Sequence, residues 1–542
     1  MEQLDLIVIG AGISGVALAT RAAADGLRVA VIEQHATVAQ GASFAHSGLM
    51  YPSPLDPWFG PGPLAPTEGG LPWRKKARQT TADVARIEAF TALTLLADRS
   101  REALARATQT HDLECEAREG ALYLFRTAQT LARAQALAPA LTEAGIGHRF
   151  IDADACRSLE PALAHADELA GAVLLDQVWS GNCALAAKRL KASLTATQDA
   201  MQAALRNAAA TGGGLAGESA ARTFEEVAPQ TPIPTENPVG LETTLQADAD
   251  APAPAPTPTP APSTGSVEFL LARRVVAMRV GIDHVEVDVR PAMQAAGAFS
   301  GVQAKGFTTP SSERLLNVRH ADQEATQRLR ARHVVVAAGS GSADVLATAN
   351  IALPMMPIVS SALTGLIRHD HYAPRRMLVD AERGVGIVRF EHRLRASIAV
   401  AGAKPGTTAA KMGATGRKVT AKRLDELEAL LHACAEDRIP GAANLNREAG
   451  TADHAMGADA EPIIGTIVLR SRAGSHRGTA QATASSPGNQ SHARAAGPLH
   501  ISVPGTYRGW ALAFGAADII LDQIQGLPTD PAFDRFSPRR FA

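Results

Sequence analysis

Residues 4–15, "LDLIVIGAGISG", join a short apolar strand to a turn rich in glycine. Gly10, Gly12 and Gly15 follow the strand in the spacing G-x-G-x-x-G. In this spacing the first glycine allows a tight turn, the second lets the backbone approach a pyrophosphate, and the third lets helix and strand pack closely. The sequence therefore predicts that a dinucleotide diphosphate lies on the N-terminus of the next helix, at the turn residues Gly10, Ala11, Gly12, Ile13, Ser14 and Gly15.

The residues that follow complete a β-α-β unit. A helix through "ALATRAAAD" (17–25) is predicted to end at Gly26, and "LRVAVIE" (27–33) reads as a second buried strand. Glu33 ends that strand, where a carboxylate would accept hydrogen bonds from ribose hydroxyls and repel a 2′-phosphate; Gln34 stands next to it. The alternative is a glycine-rich turn that binds nothing.

Composition limits the class of protein. The chain has 542 residues, which predicts two or more domains, and its formal net charge of -1 gives no basic field for nucleic acid. Cys115, Cys156, Cys183 and Cys434 form no C-x-x-C pair, so neither a zinc site nor a disulfide framework is indicated. Glu2 and Asp5 stand where a secretory signal would have basic residues, so we expect a cytoplasmic protein. No run of eighteen apolar residues occurs elsewhere, so no membrane-spanning helix is expected. Association with the surface of the inner membrane is the alternative.

Three stretches interrupt the pattern of strands and helices. Residues 206–265 include "ADADAPAPAPTPTPAPSTG", which has no apolar periodicity and is predicted to be a disordered insert. Residues 291–328 form a polar loop, and residues 471–497 are predicted to be a flexible insert rich in serine, glycine and alanine. A long amphipathic helix is predicted from Val84 to about Ala107, and strands are predicted at "ALYLFRT" (121–127) and "IDHVEVDV" (282–289).

A late strand favours FAD over NAD as the dinucleotide. "RHVVVAAGSGSADVL" (332–346) resembles the strand of two-domain flavoproteins that returns to the nucleotide domain and places small residues, here Ala338 and Gly339, against the FAD. "FLLARRVVAMRV" (269–280) resembles the strand whose backbone, near Val275, brackets the adenine.

Several segments resemble the D-amino-acid dehydrogenase branch of the FAD-dependent amine and amino-acid oxidoreductases, the superfamily of glycine oxidase and sarcosine oxidase. The most specific are "GASFAHSGLMYPSPLDPWFGPG" (41–62), "REGALYLFRT" (118–127) and "DADACRSLEPAL" (152–163). The resemblance extends to "SGNC" (180–183), "GVGIVRFEHRLR" (384–395), "EPIIG" (461–465) and "GWALAFGAADIILDQIQG" (509–526). The resemblance implies that Ala42 and Ser43 let the loop approach the diphosphate and flavin, and that His46 to Tyr51 lie near the isoalloxazine edge. His46, where the family more often has Asn, is interpreted as a flavin or substrate contact, a packing residue, or a covalent FAD link.

The chain also departs from this family. The family's "GLRP-x-TPDG-x-P" segment carries an arginine that binds the substrate carboxylate, whereas this chain reads "TADHAMGADAEPIIG" (451–465) with His454 at that place. We therefore expect either carboxylate binding that weakens as pH rises through about 6.5 or a preference for amines without an α-carboxylate. The alternative is that His454 is a loop residue and that Arg389, Arg393 or Arg395 binds the carboxylate. The family's "GHG" appears as "VPGTYRGW" (503–510), which keeps Gly509 for a helix facing the flavin and adds Tyr507.

The predicted architecture is α/β, a Rossmann-like FAD-binding domain with an α+β substrate domain on a mostly antiparallel sheet. The FAD-binding domain is assigned to residues 1–80, 145–210, 265–350 and 455–542, and the substrate domain to residues 81–144 and 351–454. "ALYLFR", "MPIVSSALTGLI" (356–367) and "GVGIVRF" (384–390) are predicted strands of the second sheet.

The resemblance implies an FAD-dependent dehydrogenase that oxidises the C–N bond of a D-amino acid or related amine, with His46, Tyr51, His454 and Tyr507 in the active site. Electrons would pass to a quinone or another electron-transfer partner. An oxidase that uses O2 and a flavin-binding subunit with degenerate chemistry are the alternatives, together with other flavin reactions such as tRNA modification. No metal and no nucleic acid is expected.

Overall fold

The computed structural model describes most of the chain. The described residues are 3–50, 83–143, 145–164, 168–210, 265–292, 326–367, 373–380, 385–400, 448–457, 461–468, 497–505 and 509–541. The predicted inserts lie mostly outside them. Residues 206–210 end a helix rather than begin an insert, and strands that end at Pro291 and begin at Gln327 shorten the loop predicted at 291–328. Compact packing joins residues 1–195 and 264–542 into one unit, and residues 196–263 form a second one.

The described helices are α1 (Ile13–Ala24), α2 (Asp83–His111), α3 (Ala128–Gln135), α4 (Ala138–Glu143), α5 (Ala153–Leu159), α6 (Cys183–Ala210), α7 (Ser342–Ala347) and α8 (Gly509–Gln525). Helix α1 ends as the sequence predicts. Gly26 has a φ of 79°, its N–H donates to Ala23 O, and the N–H of Leu27 donates to Ala22 O. This is the glycine-terminated helix end in which a left-handed residue satisfies the last carbonyls.

The first sheet has eight strands among the described residues. They are β1 (Leu4–Ile9), β2 (Arg28–Ile32), β6 (Ser266–Leu270), β7 (Arg273–Val280), β8 (Val285–Pro291), β9 (Gln327–Val336), β15 (Ile463–Thr466) and β16 (Leu499–Val503). Strand β1 lies between β2 and β9 and runs parallel to both, and β6 and β16 extend the parallel set on either side. This nucleotide sheet brings the ends of β1, β2 and β9 together at the glycine turn.

The second sheet also has eight strands, in the order β14-β10-β13-β12-β11-β3-β5-β4. Their bounds are β3 (Arg118–Phe125), β4 (Arg149–Asp152), β5 (Gly171–Ser180), β10 (Met355–Leu366), β11 (Met377–Asp380), β12 (Val385–Phe390), β13 (Arg393–Val400) and β14 (Glu448–Gly457). The pairing is antiparallel except between β3 and β11. The three strand segments predicted for this sheet lie in it, so the mixed α/β fold with a mostly antiparallel second sheet is confirmed.

Two of the predicted domain boundaries are wrong. Residues 145–210 were assigned to the FAD-binding domain, but β4 and β5 pair with β3 in the second sheet. Residues 81–144 were assigned to the substrate domain, but α2 within them packs along α8, which in turn packs on α1 beside the nucleotide sheet. Apolar alternation indicated that these segments are strands or helices, but it carried no information about which sheet they join.

One hydrophobic core runs between the two sheets. Val8 and Val16 of the nucleotide layer, Trp510 of α8, and Tyr123 and Val379 of the second sheet belong to the same buried cluster. The two sheets therefore share a core and do not form two separately packed domains.

Candidate active site

The glycine turn after β1 has the geometry that its spacing predicts. Gly10 has a φ of 108°, and a Cβ there would lie 2.6 Å from Ala337 O and 2.8 Å from the Cα of Ala338. A Cβ on Gly15 would lie only 1.8 Å from Gly10 O, so the third glycine permits the close packing of α1 on β1. Gly12 is the N-cap of α1, and no side chain of its own satisfies the helix end.

Glu33 lies at the end of β2, facing this turn. Its Oε2 accepts from Ala11 N at 2.7 Å, and its Oε1 accepts from His35 N at 2.9 Å and contacts His35 Nδ1 at 2.7 Å. Burial raises the pKa of the Glu33 carboxyl, but the hydrogen bonds from His35 and Ala11 outweigh it, so the pKa is lowered overall. Glu33 is therefore a charged acceptor beside the turn. His35 stands two residues along, in the bend after β2, and no motif of the sequence indicated it.

Ser43 connects the loop of residues 41–50 to the same helix end. Its Oγ accepts from Ile13 N at 2.9 Å and a hydrogen bond joins it to Cys183, the first residue of α6. Ala42 packs against Ala45 and Ala362, which places the loop on β10 of the second sheet. The loop therefore starts at the nucleotide turn and crosses to the other sheet.

The second half of the loop is fixed by the second sheet. Arg395 of β13 donates from Nη1 to Phe44 O at 2.7 Å and to His46 O at 3.3 Å, and from Nε to Thr364 Oγ1 at 3.0 Å. Gly48 has a φ of 88°, and a Cβ there would lie 2.9 Å from Gly181 O. The loop needs glycine at this position because it approaches the end of β5 so closely.

His46 reaches from this loop to the first turn of α8. It is 3 % exposed, and its Nδ1 accepts from Gly48 N at 3.0 Å. Its Nε2 lies 3.4 Å from Trp510 N, and the two rings meet edge to face at 6.2 Å. His46 therefore shapes the loop and contacts the α8 N-terminus that begins at Gly509, while its contact with flavin stays a prediction. Tyr51 and Tyr507 lie outside the described residues.

His454 lies in β14, on the face of the second sheet that bears this loop. Its register partner is position 358, an even number of residues from Ala362 and Thr364, which both face the loop. His454 is 3 % exposed, and burial lowers its pKa to about 4. The expectation that its charge changes near pH 6.5 is therefore wrong, because the ring is too deeply buried to be protonated there.

The arginines named as replacements for the carboxylate-binding arginine already have partners. Arg393 Nη2 lies 3.0 Å from Glu116 Oε1, Arg389 Nε donates to Glu391 O at 2.9 Å, and Arg395 holds the loop as described above. Each of them therefore contributes to the second sheet and its turns.

The remaining residues predicted to bind the cofactor include Gln34, Gly339 and Val275. Gln34 is exposed, and Gly339, with a φ of 56°, opens a short 3-10 turn (Gly339–Gly341) that lies against β14. Val275 is half-buried in β7, and the turn that leads into β7 binds the end of β2 through the N–H of Arg273, which donates to Glu33 O at 2.8 Å.

A cavity of about 850 Å³ opens beside the end of the loop. One face of α2, the turn from α2 to β3, the end of β5 and the first turn of α8 enclose it, and its lining includes Met50, Trp179, Trp510, Arg118 and Glu391. Within the described residues, no group of three or more His, Cys, Asp or Glu side chains is placed to hold a metal ion.

The residues at the glycine turn fit a dinucleotide. A helix has up to four N-terminal N–H groups without partners inside it, and in α1 only Ile13 N uses the Ser43 hydroxyl. Gly12 keeps the space over this helix end open, since a Cβ there would come within 3.2 Å of Ser43 Oγ. Glu33, at the end of the neighbouring strand β2, supplies charged oxygens that can accept hydrogen bonds from hydroxyl groups. Together these groups match a diphosphate flanked by a ribose.

A parallel sheet with this turn, joined to a mostly antiparallel second sheet, is the arrangement expected of a dinucleotide-binding protein. The family described as DAO, FAD dependent oxidoreductase, matches residues 5–223. Residues 5–223 of the chain are thus similar to this family, and FAD as the predicted cofactor is confirmed.

Among curated relatives, a D-amino acid dehydrogenase from Vibrio atlanticus is 31% identical over 200 residues, covering 33% of this chain and 48% of the relative. A second D-amino acid dehydrogenase, from Rhizobium rhizogenes, is 30% identical over 214 residues, covering 35% and 51%. The chain thus matches about half the length of these relatives. The crystal structure of glycine oxidase from Geobacillus kaustophilus superposes with a TM-score of 0.56 at 14% identity and covers 100% of both chains, which shows a shared fold.

Proposed function

We propose that the protein is an FAD-dependent dehydrogenase that oxidises the C–N bond of a D-amino acid or a related amine. The observation that carries the proposal is the continuous path of the loop of residues 41–50. Ser43 bonds the N-terminus of α1, and His46 contacts Trp510 at the N-terminus of α8. The loop thus connects the helix end that suits a diphosphate with residues beside the open cavity, and only a few residues separate the two places.

Bound FAD would supply the two-electron acceptor for this oxidation. The chain's own residues have three tasks. Glu33 and the N-terminus of α1 bind the nucleotide, the N-terminus of α8 places partial positive charge beside the loop, and the buried Trp510 and His46 exclude water from that end of α8. Positive charge at this place favours a group that gains negative charge when it accepts electrons.

Four residues are proposed for the active site on the strength of the sequence. His46 and His454 are proposed to line the substrate side of the cofactor, together with Tyr51 and Tyr507. His454 would act as a neutral hydrogen-bonding group, since its pKa of about 4 leaves it uncharged at neutral pH. A quinone or another carrier is proposed to accept the electrons. No described helix combines the length and apolar character needed to cross a bilayer.

The test is reduction of the purified, flavin-loaded protein by a panel of amines and D-amino acids without oxygen. Bleaching of the absorption near 450 nm, a position of the order expected for flavins, is the expected result with at least one D-amino acid. Return of the band on admitting air at a rate that matches turnover would identify an oxidase. Gly15→Ala is the control, because its added Cβ would lie 1.8 Å from Gly10 O and the distorted turn is expected to bind no FAD. A yellow protein that no amine reduces would overturn the proposal.

A further inference from the structure

The cavity beside Met50 and Trp510 is large compared with the needs of a small amino acid. Its volume of about 850 Å³ lies in the upper part of the range of small-molecule sites, about 300–1,000 Å³. Its walls come from four separate elements of one compact unit, α2, β3, β5 and α8. The cavity therefore belongs to the folded frame that positions the loop.

Most charged side chains that line this cavity are already paired. Glu114 lies 3.0 Å from Arg189, Arg101 lies 3.3 Å from Asp98, and Glu116 pairs with Arg393. Two further lining residues, Arg118 and Glu391, have no ion pair or side-chain hydrogen bond within the described part of the chain. The guanidinium group of Arg118 and the carboxylate of Glu391 are thus available to bind a ligand.

Arg118 lies close to the loop that leads from the nucleotide turn. It is the first residue of β3 and pairs with Ser180 of β5, and Ser180 in turn forms a bridge to Leu49. Arg118 also lies near Arg389, whose pKa is lowered by burial and by the charge of Arg118. Arg389 is 8 % exposed and does not line the cavity, so Arg118 is the guanidinium of the two that a ligand in the cavity can reach.

The rest of the lining is mainly apolar. Leu104 of α2, Leu113 of the following turn and Met50 of the loop face the cavity together with Trp179, which is 39 % exposed. Trp510 closes it and is 1 % exposed, yet its Nε1 has no hydrogen-bond partner. A buried indole N–H is normally satisfied, so the vicinity of Trp510 has a donor for which the described residues supply no acceptor.

We infer that this cavity binds an amino acid with a bulky apolar or aromatic side chain, with Arg118 on the carboxylate, Glu391 on the ammonium group and the side chain along Leu104, Leu113 and Trp510. The ligand's central carbon then lies beside Met50 and Trp179, which are joined by the hydrogen bond from Met50 N to Trp179 O at 2.9 Å. This inference rests on the proposed function for its reaction, and it names the substrate class and the carboxylate-binding residue.

Arg118 fits this role better than the positions that the sequence indicated. His454 is uncharged at neutral pH, and Arg389, Arg393 and Arg395 bond carbonyl, hydroxyl or carboxylate oxygens of the chain. A guanidinium can bind a carboxylate through two parallel hydrogen bonds, and it keeps its charge at every pH at which the protein is folded.

The experiment measures binding without turnover. D-α-methylphenylalanine has the carboxylate, the ammonium group and the ring, but it lacks the α-hydrogen that oxidation removes. Two isosteres isolate the charges: in one, methyl replaces the carboxylate, and in the other, methyl replaces the ammonium group. Dissociation constants of all three are measured by calorimetry on the flavin-loaded full chain, for the wild type and for Arg118→Gln, Arg118→Lys and Glu391→Gln. Arg149→Gln is the matched control, since Arg149 is also the first residue of a strand, β4, and pairs with the exposed Asp176.

Arg118→Gln is expected to weaken binding of both carboxylates by about 10- to 100-fold, the value of a hydrogen bond to a charged group, and to leave the amine isostere unchanged. Glu391→Gln should weaken the two ligands that carry an ammonium group and spare the acid. Arg118→Lys should retain part of the preference for carboxylates, and Arg149→Gln all of it.

Equal effects of Arg118→Gln on all three ligands, or none, would overturn the inference. If Arg118→Gln does not fold, the wild type still decides, because binding of the amine isostere as tightly as the amino acid contradicts a carboxylate site. Reduction of the flavin by D-phenylalanine is recorded separately. Reduction without charge-dependent binding rejects this inference alone, whereas charge-dependent binding without reduction by any amine of the panel rejects the proposed function alone.

Discussion

At the scale of single residues, the buried histidine His454 has a consequence for stability. Its pKa in the folded protein is about 4, below the value of about 6.5 for an unfolded chain. As the pH falls from about 6.5 to about 4, the unfolded chain binds a proton at this histidine and the folded protein does not, so the free energy of unfolding decreases. Above about pH 6.5 both states are neutral at this position and nothing is lost.

We therefore predict that the wild type loses about 3 kcal/mol more stability than His454→Gln when pH falls from 7 to 4, because a pKa difference of one unit corresponds to about 1.4 kcal/mol. Urea unfolding at several pH values measures it, and His148→Gln, a histidine at a half-buried position before β4, serves as the control. A difference between wild type and His454→Gln that does not change with pH would contradict a buried neutral ring.

The sequence predicted the conformation of the glycine turn well, and for a physical reason, while the binding of a nucleotide by its residues stays a prediction. Gly10, Gly15 and Glu33 depend on local geometry, since a turn with positive φ and a close approach of helix and strand both require glycine. The environment of His454 depends instead on β10, a strand far away in the chain. Its burial, and therefore its pKa, could not be predicted from neighbours in sequence.

At the scale of elements, α8 and α2 approach each other at a glycine. A Cβ on Gly515 would lie 2.6 Å from Leu96 O and 3.0 Å from Ser100 N. Around this contact Arg99 binds Asp522, and Arg106 and Arg21 each lie 3.0 Å from Asp518. The charges therefore tie α1, α2 and α8 together where the backbones are closest.

Gly515→Ala is predicted to reduce the free energy of unfolding by about 1–3 kcal/mol, because the helices must separate to admit the methyl group. The gain of up to about 1 kcal/mol from the helix propensity of alanine offsets this only in part. Flavin content should fall as well, since α8 begins beside the loop. Thermal unfolding and flavin absorbance measure both quantities. Gly147→Ala, with no atom closer than 3.8 Å to the added Cβ, is the control. An unchanged melting temperature would show that the contact relaxes freely.

Strand and helix positions were largely predictable from apolar periodicity, but their partners were not. "ALYLFR" and "GVGIVRF" have the alternation of strands that are covered on one face, and both lie in the second sheet. The segment of β5 is apolar as well and leads into "SGNC" (180–183), but nothing in its sequence indicates that it pairs in the second sheet. In the structure, Gly181 of this motif does lie beside the loop, while the strand before it pairs with β3.

At the scale of the whole molecule, the Pro- and Ala-rich segment within residues 206–265 can be tested by removal. Its composition supports no apolar core, so replacing residues 212–262 with a flexible Gly/Ser linker should leave flavin content and melting temperature unchanged. Replacing residues 84–107 with the same kind of linker, which removes most of α2, should abolish flavin binding and the cooperative thermal transition. Loss of flavin from the linker variant would mean that the segment is part of the fold.

The order of strands along the chain also has a consequence for synthesis. The nucleotide sheet takes β1 from residues 4–9 and β16 from residues 499–503, and the strands of the second sheet come between them. On the ribosome, β1 emerges long before β9 and β16, so its apolar surface waits for partners that are translated hundreds of codons later. Chaperones that shield nascent chains, and codon usage that slows translation between the two sheets, should therefore influence the yield of this protein more than that of one whose sheet is completed by consecutive strands.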